Sequence, residues 1–370
     1  MSRRSNRRER RDKKRLEKKE KFKQYDDIER ISSIKSLYYS GKKASRGVSW
    51  KASVQRHLLM PLFKVSRARR DYQKGKDVRQ GFIEFSLCER GKERHIKSVH
   101  FAERIWQKSI CDNALYPILT RGLIYDNYAS QKGKGTHFAE NRFTNFLRKF
   151  YRKHQRNGYV LMIDFKGYFE NIPHEPLKRN FKEKFTDEKV IALANDFVDA
   201  FGDRGLGLGS ETSQINAIAH INRIDHYIKE VERIKYYGRY MDDSFIIHES
   251  KAFLEELLER LDKFYKDYGV IINRKKTKII SLKHGFTFLK TRFYITETGK
   301  IIKKPCRESA TRERRKLKKQ ALLVAKKIMK KEEVLQSFNS WCGSMIHRNA
   351  RKTIFSMEKL YKKLFEKEQK

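Results

Sequence analysis

The chain has 370 residues, 38% of them hydrophobic, which is enough for a packed core spread over two or three units. Its 87 Lys and Arg against 45 Asp and Glu leave a net charge of +42, far beyond what solubility needs. That charge points to a polyanionic partner, nucleic acid before an anionic surface. No apolar run approaches the ~18 residues of a membrane span, and no apolar stretch follows the basic N-terminus as in a signal peptide. The cysteines (Cys88, Cys111, Cys306, Cys342) include no Cys-x-x-Cys and no Cys/His cluster, so structural zinc is not expected and a reducing cytoplasm is the natural setting.

Residues 1–23 hold thirteen Lys or Arg and almost nothing apolar. This predicts a basic arm over residues 1–25 without a fixed fold, suited to phosphate contact. Residues 26–157 alternate helical and strand patterns. Within them, "FAERIWQKSICDNALYPIL" (101–119) predicts a helix with an apolar face at Phe101, Ile105 and Ile110.

Tyr159 to Ile163 form a short apolar run, the pattern of a buried strand, and Asp164 ends it. A helix is predicted over 188–200. Gly205, Gly207 and Gly209 then alternate, which lets the backbone approach a ligand closely. Neither this stretch nor "KGKGT" (132–136) is a P-loop, because no Gly-Lys-Ser/Thr follows at the required spacing. "KYYGRYMDDSFIIHES" (235–250) predicts a β-hairpin with Asp242 and Asp243 at its tip. A helix over 249–269 ends at Gly269.

After Pro305 the chain turns helical and basic. Leu317, Ala321, Val324 and Ile328 form one apolar stripe; Ile354, Met357, Tyr361 and Leu364 form another. Gly343 is expected between helices. The stripes read as core. His174, in "NIPHEP", reads as structural.

The acids carry the chemistry. Asp242 and Asp243 repel each other on a tight turn unless a cation sits with them. Asp164, brought near by an antiparallel neighbouring strand, would complete a hard, all-oxygen Mg²⁺ site. The plainer readings are a solvated turn for the pair and a helix N-cap for Asp164.

These stretches resemble, in order, the motifs of prokaryotic, group II intron-like reverse transcriptases, over roughly residues 80–365. "ERGKERHI" (89–96) and "ASQKGKGTHFA" (129–139) resemble the fingers motifs, and "IDFKGYFENI" (163–172) the motif A strand. "GLGLGSETSQINA" (205–217) resembles motif B and "YMDD" (240–243) motif C. "INRKKTK" (272–278) is similar to motif D and "GFTFLKTRF" (285–293) to the primer grip.

The resemblance implies an α+β right-hand polymerase. Its fingers would be 26–157, its palm 158–300 with an antiparallel sheet carrying the catalytic hairpin, and its helical thumb 301–370. It implies copying of a template RNA into cDNA from dNTPs, with two Mg²⁺ ions (Mn²⁺ being the alternative). Asp164, Asp242, Asp243 and the Phe165 backbone carbonyl would hold the ions. Lys276 would serve as general acid to pyrophosphate. Phe169 would be the aromatic that excludes a ribose 2′-hydroxyl, with Leu208, Gly209 and Gln214 at the nucleotide. Lys92 and Arg94, with Lys132 and Lys134, would meet triphosphate or template. Phe288 and Leu289 would form the primer grip, with Lys290 where a Gly is common. No nuclease domain is expected after the thumb.

Motif B departs from the commoner family pattern. Leu208 precedes Gly209 and Gln214 follows Ser213, as in the reverse transcriptases of diversity-generating retroelements, which copy with errors at adenine. The tail at 337–361 resembles the same group. Leu208 offers packing but no hydrogen bond, so discrimination that needs a polar contact is expected to be lost. A phage-defence enzyme acting with a dedicated non-coding RNA is the alternative within the family, and a non-catalytic RNA-binding protein the alternative outside it. A non-coding RNA and a small accessory protein are further partners the resemblance implies; a membrane is not.

Overall fold

The computed structural model describes residues 22–89 and 91–366, together with Glu9, Lys13, Glu17 and Glu20. The basic arm expected over 1–25 therefore lies almost wholly outside the described residues. The side chains of Lys92 and Arg94 also lie outside them. Among the described residues there are nine strands, in runs separated by helices: β1 Phe82–Glu89, β2 Lys92–Val99, β3 Tyr159–Ile163, β4 Tyr237–Tyr240, β5 Asp243–His248, β6 Lys278–Ser281, β7 Phe286–Phe288, β8 Thr291–Ile295 and β9 Ile301–Pro305. They form a β1-β2 ribbon, a β4-β5-β3-β6 sheet and a β7-β8-β9 sheet, all antiparallel. The fold class is α+β. Among the described residues no helix is long and apolar enough to cross a membrane.

The chain divides into two compact units. The first holds residues up to Gln131, Phe165–Arg233 and Leu261–Ile272; the second holds Lys132–Asp164, Ile234–Arg260 and the residues from Asn273 on.

In the first unit, the helix predicted over 101–119 is an α-helix to Ile110, a π-turn at Cys111–Leu115 and a further turn at Tyr116–Leu119. Ile105 and Ile110 are buried, whereas Phe101 is only half-buried. The helix expected at 188–200 spans Glu188–Asp199, and Asp187 caps it by accepting the Lys189 and Val190 amides. The helix after the hairpin, Lys251–Asp267, begins in the second unit and ends in the first. Gly269 follows at φ +67°, where a side chain would also collide with Pro173, 2.6 Å from the added carbon.

The second unit is built on the helix Thr136–His154. Its Phe143 is fully buried, with ring centroids 4.2 Å from Phe245, 5.1 Å from Phe288 and 5.0 Å from Phe293. β5 is buried from Ser244 to Ile247 on both faces, as a central strand should be. Arg307–Ala325, Lys331–Ile346 and Arg351–Phe365 form three helices around Leu317, Val334, Phe338, Met357 and Tyr361.

Two expectations fail among these helices. Ile328 falls beyond the first helix end, so its stripe ends early and its side chain is 70% exposed. Gly343 lies inside the second helix, where an added Cβ would meet nothing within 4 Å. The break comes instead at residues 347–350, where Asn349 exchanges backbone and side-chain hydrogen bonds with Lys303.

Candidate active site

Tyr240 pairs with Asp243, which leaves Met241 and Asp242 as a two-residue hairpin loop. Asp242 is therefore on the turn, while Asp243 opens β5 rather than standing at the tip as expected. Met241 takes φ +59°. A positive φ at the first loop residue matches the twist of a tight hairpin, but a side chain there carries strain. Arg239 holds the turn. Its side chain is wholly buried, and Nη1 donates to the Met241 carbonyl at 3.0 Å.

β3 runs antiparallel to β5 with Ile163 opposite Ser244. One step further, the register sets Asp164 beside Asp243 at the same end of the sheet. Asp164 is held by residues 273–277. The Asn273 amide donates to the Asp164 carbonyl at 2.8 Å, and Asn273 Nδ2 donates to Oδ1 at 2.9 Å. The Asp164 amide donates to Thr277 Oγ1 at 3.3 Å. Lys276 Nζ lies 3.2 Å from one carboxylate oxygen and 3.3 Å from the other.

The electrostatics follow from this crowding. Burial, then the charges of Asp242 and Asp164, pushes the Asp243 carboxyl up to about 7, against the pull of Lys276 and Lys290. Asp242 is also raised, by burial first and then by Asp164; its own backbone amide, Lys276 and Arg239 oppose the shift. Among the described residues, no three His, Cys, Asp or Glu side chains converge closely enough to hold a metal ion as they stand. Asp164 is engaged by Asn273 and Lys276 in this arrangement. The donor set still fits a hard divalent cation, because every donor is a carboxylate oxygen and a cation would relieve the burial and repulsion of both Asp242 and Asp243.

The other expected site residues fall in both units. In the first, Phe165 is buried with its ring 4.7 Å from Tyr265, and it bridges to Ile272. Of the adjacent aromatics, Tyr168 is the core residue: it is buried and its hydroxyl donates to the Ala217 carbonyl at 2.6 Å. Phe169 is half-buried, and its carbonyl accepts from Leu206 at 2.7 Å. Gly205 is there because a Cβ at its φ of +88° would fall 2.9 Å from the Glu170 carbonyl oxygen. His174, buried, bonds the Gly205 carbonyl at 2.7 Å, a structural role. Leu208 is half-buried and Gly209 exposed, just before the helix Glu211–His220. Gln214 Oε1 accepts from Ser130 at 3.1 Å.

In the second unit, Phe288 packs in the aromatic core. Leu289 and Lys290 form the two-residue turn between β7 and β8 at φ +47° and +62°. A left-handed pair of this kind favours glycine, yet here Leu and Lys adopt it.

The sequence matches the family described as reverse transcriptase (RNA-dependent DNA polymerase) over residues 85–293, more than half of the chain. The chain belongs to the reverse transcriptase family. No curated protein sequence matches it significantly. Among solved structures, it is similar to apo telomerase from Candida tropicalis truncated from its C-terminal domain, with 16% identity, 60% of this chain and 54% of that chain covered, and a TM-score of 0.45. It is similar also to telomerase from Candida albicans in complex with a fragment of telomeric RNA, with 10% identity, 70% and 55% covered, and a TM-score of 0.48. The reverse transcriptase thus spans about half the length of these telomerase chains.

Sequence reasoning missed two residues of this candidate site. Arg239 had a signal, being a lone cation in a strand just before the acidic pair. Asn273 had none beyond its place in "INRKKTK", because its partner lies 109 residues away.

Proposed function

We propose that this reverse transcriptase copies an RNA template into cDNA, with Asp164, Asp242 and Asp243 as its catalytic carboxylates. The observation that carries this is the β3–β5 register, which sets the strand-end Asp164 beside the start of the Asp242–Asp243 hairpin. These carboxylates and the Phe165 carbonyl would hold two Mg²⁺ ions, with Mn²⁺ the alternative; when bound, such ions activate a 3′-hydroxyl and steady departing pyrophosphate. Lys276, which faces Asp164, would give a proton to the pyrophosphate. Phe169, fixed through its backbone to Leu206, excludes a 2′-hydroxyl from the dNTP site. On this reading residues 26–157 are fingers, 158–300 palm and 301–370 a thumb that grips the duplex through its basic faces. A cytoplasmic setting agrees with four free cysteines.

Within the family we favour the error-prone, diversity-generating type, on Leu208 ahead of Gly209. A non-coding RNA and a small accessory protein are its expected partners. Primer extension on an RNA template with Mg²⁺ and dNTPs, followed by sequencing of the cDNA, tests both levels. Product that is lost in the Asp242→Ala/Asp243→Ala double variant supports the polymerase, and adenine-centred errors support the subtype. Accurate cDNA favours the defence reading. RNA binding with no extension by the wild type, even with its copurified RNA restored, favours a non-catalytic RNA-binding protein.

A further inference from the structure

We infer that Asn273 is a positioning residue for the Asp164 carboxylate, and that residues 273–277 act as the cradle that aims it. This rests on the reading of Asp164 as a catalytic carboxylate.

Asp164 lies one residue past the end of β3, beyond the ladder that fixes the strand. Its four hydrogen-bonding groups are instead taken by one short segment. Asn273 alone supplies two donors, one to the backbone carbonyl and one to Oδ1. Thr277 accepts the amide and Lys276 faces both carboxylate oxygens. The segment is closed on itself, since the Lys276 and Thr277 amides both donate to the Asn273 carbonyl at 3.0 and 2.8 Å. It leads directly into β6, whose Lys278 pairs with Met162 of β3. The cradle is therefore tied to the strand it serves.

The two side chains facing the carboxylate do different work. The Lys276 ammonium is a point charge on a flexible stem, and its side chain is 56% exposed. It can leave Asp164 at little cost. The Asn273 amide is neutral, short and anchored by its own backbone bond to the same residue. It fixes the carboxylate plane without neutralising its charge, the service that outer hydrogen bonds give to metal-binding carboxylates. Lys276 is then free to move toward the leaving group while Asn273 keeps Oδ1 in place.

The test compares Asn273→Asp and Asn273→Ala with the wild type. Asp forms the same turn as Asn, so a merely structural role tolerates Asn273→Asp. A positioning role does not, because a donor becomes a repelling carboxylate. Mn²⁺ binding to the protein without substrates, followed by electron paramagnetic resonance, is expected to weaken roughly 10–100-fold in both variants, with kcat for extension falling by a similar factor. The KM for dNTP is expected to stay within about twofold, since uniform binding is untouched. Melting temperature separates these losses from unfolding. Wild-type Mn²⁺ affinity and kcat in a folded Asn273→Asp or Asn273→Ala overturn the inference. Asp243→Asn runs alongside: if it still extends, the carboxylate reading fails and the inference falls with it. If it is inactive while both Asn273 variants behave as wild type, the inference alone fails.

Discussion

Arg239 and Met241 are joined by a hydrogen bond from a guanidinium with no exposed surface to the carbonyl of a residue at φ +59°. The bond spans the turn that carries Asp242. A cation buried in strand β4 thus holds a strained loop in the conformation that presents one acid and starts β5 with the next.

Arg239→Met is therefore expected to destabilise the protein by about 3 kcal/mol, because it strips partners from buried polar groups. Arg239→Lys keeps the charge but loses the planar fork, and is expected to recover only part of the stability. Denaturant melts give the first number. Primer extension at a temperature where each variant is folded is expected to remain impaired, since the turn rather than the core is altered.

The raised Asp243 carboxyl has a signed consequence. The folded chain keeps this proton up to about 7, whereas the unfolded chain releases it near the ordinary carboxylate value of 3.8. Between those values the folded state binds more protons, so this group's contribution to stability is present at low pH and is lost as pH rises through the window. A divalent cation binds the ionised form. Its stabilising effect is therefore expected to grow from about pH 5 to about pH 7 and then level off. Melting temperatures with and without Mg²⁺ across that range check this, and Asp243→Asn is expected to flatten the trend. An Mg²⁺ effect that is constant with pH contradicts it.

Phe169→Val is expected to raise the relative kcat/KM for ribonucleotides over deoxyribonucleotides by at least about tenfold, by opening space for a 2′-hydroxyl. Competition between the two triphosphates on one primed template measures the ratio. An unchanged ratio would assign Phe169 to packing alone.

Leu208→Gln adds a polar contact where the wild type has an aliphatic one. Misincorporation opposite adenine is expected to fall by roughly tenfold or more, since polar readout discriminates better than apolar contact. Sequencing cDNA from both proteins on one template shows it, and the same error spectrum in each removes the basis for the error-prone subtype.

What was readable in the sequence was local. The run Tyr159–Ile163 is β3 because five apolar residues, ended by an acid, can satisfy themselves in few ways. The hairpin was legible from the acidic pair between two aromatic-rich strands. Its detail was not: which residues form the loop depends on pairing register, and that moved Asp243 from the tip into β5. Asn273 and Asp164 meet only because β6 and β3 are neighbours, a long-range fact with no local sign. The Leu289–Lys290 turn defied propensity because the β7–β8 pairing imposes the left-handed conformation on residues that rarely choose it. Gly343 misled in the opposite way, as a glycine held within its helix at a position where an added Cβ would meet nothing within 4 Å.

The most direct test of the carboxylate account is single-turnover extension of a primed RNA template by the wild type and by Asp164→Asn, Asp242→Asn and Asp243→Asn, each shown to be folded by its melting temperature. The account predicts extension by the wild type with Mg²⁺ and a loss of at least about a thousandfold in each variant. Extension at the wild-type rate by a folded Asp243→Asn would contradict it.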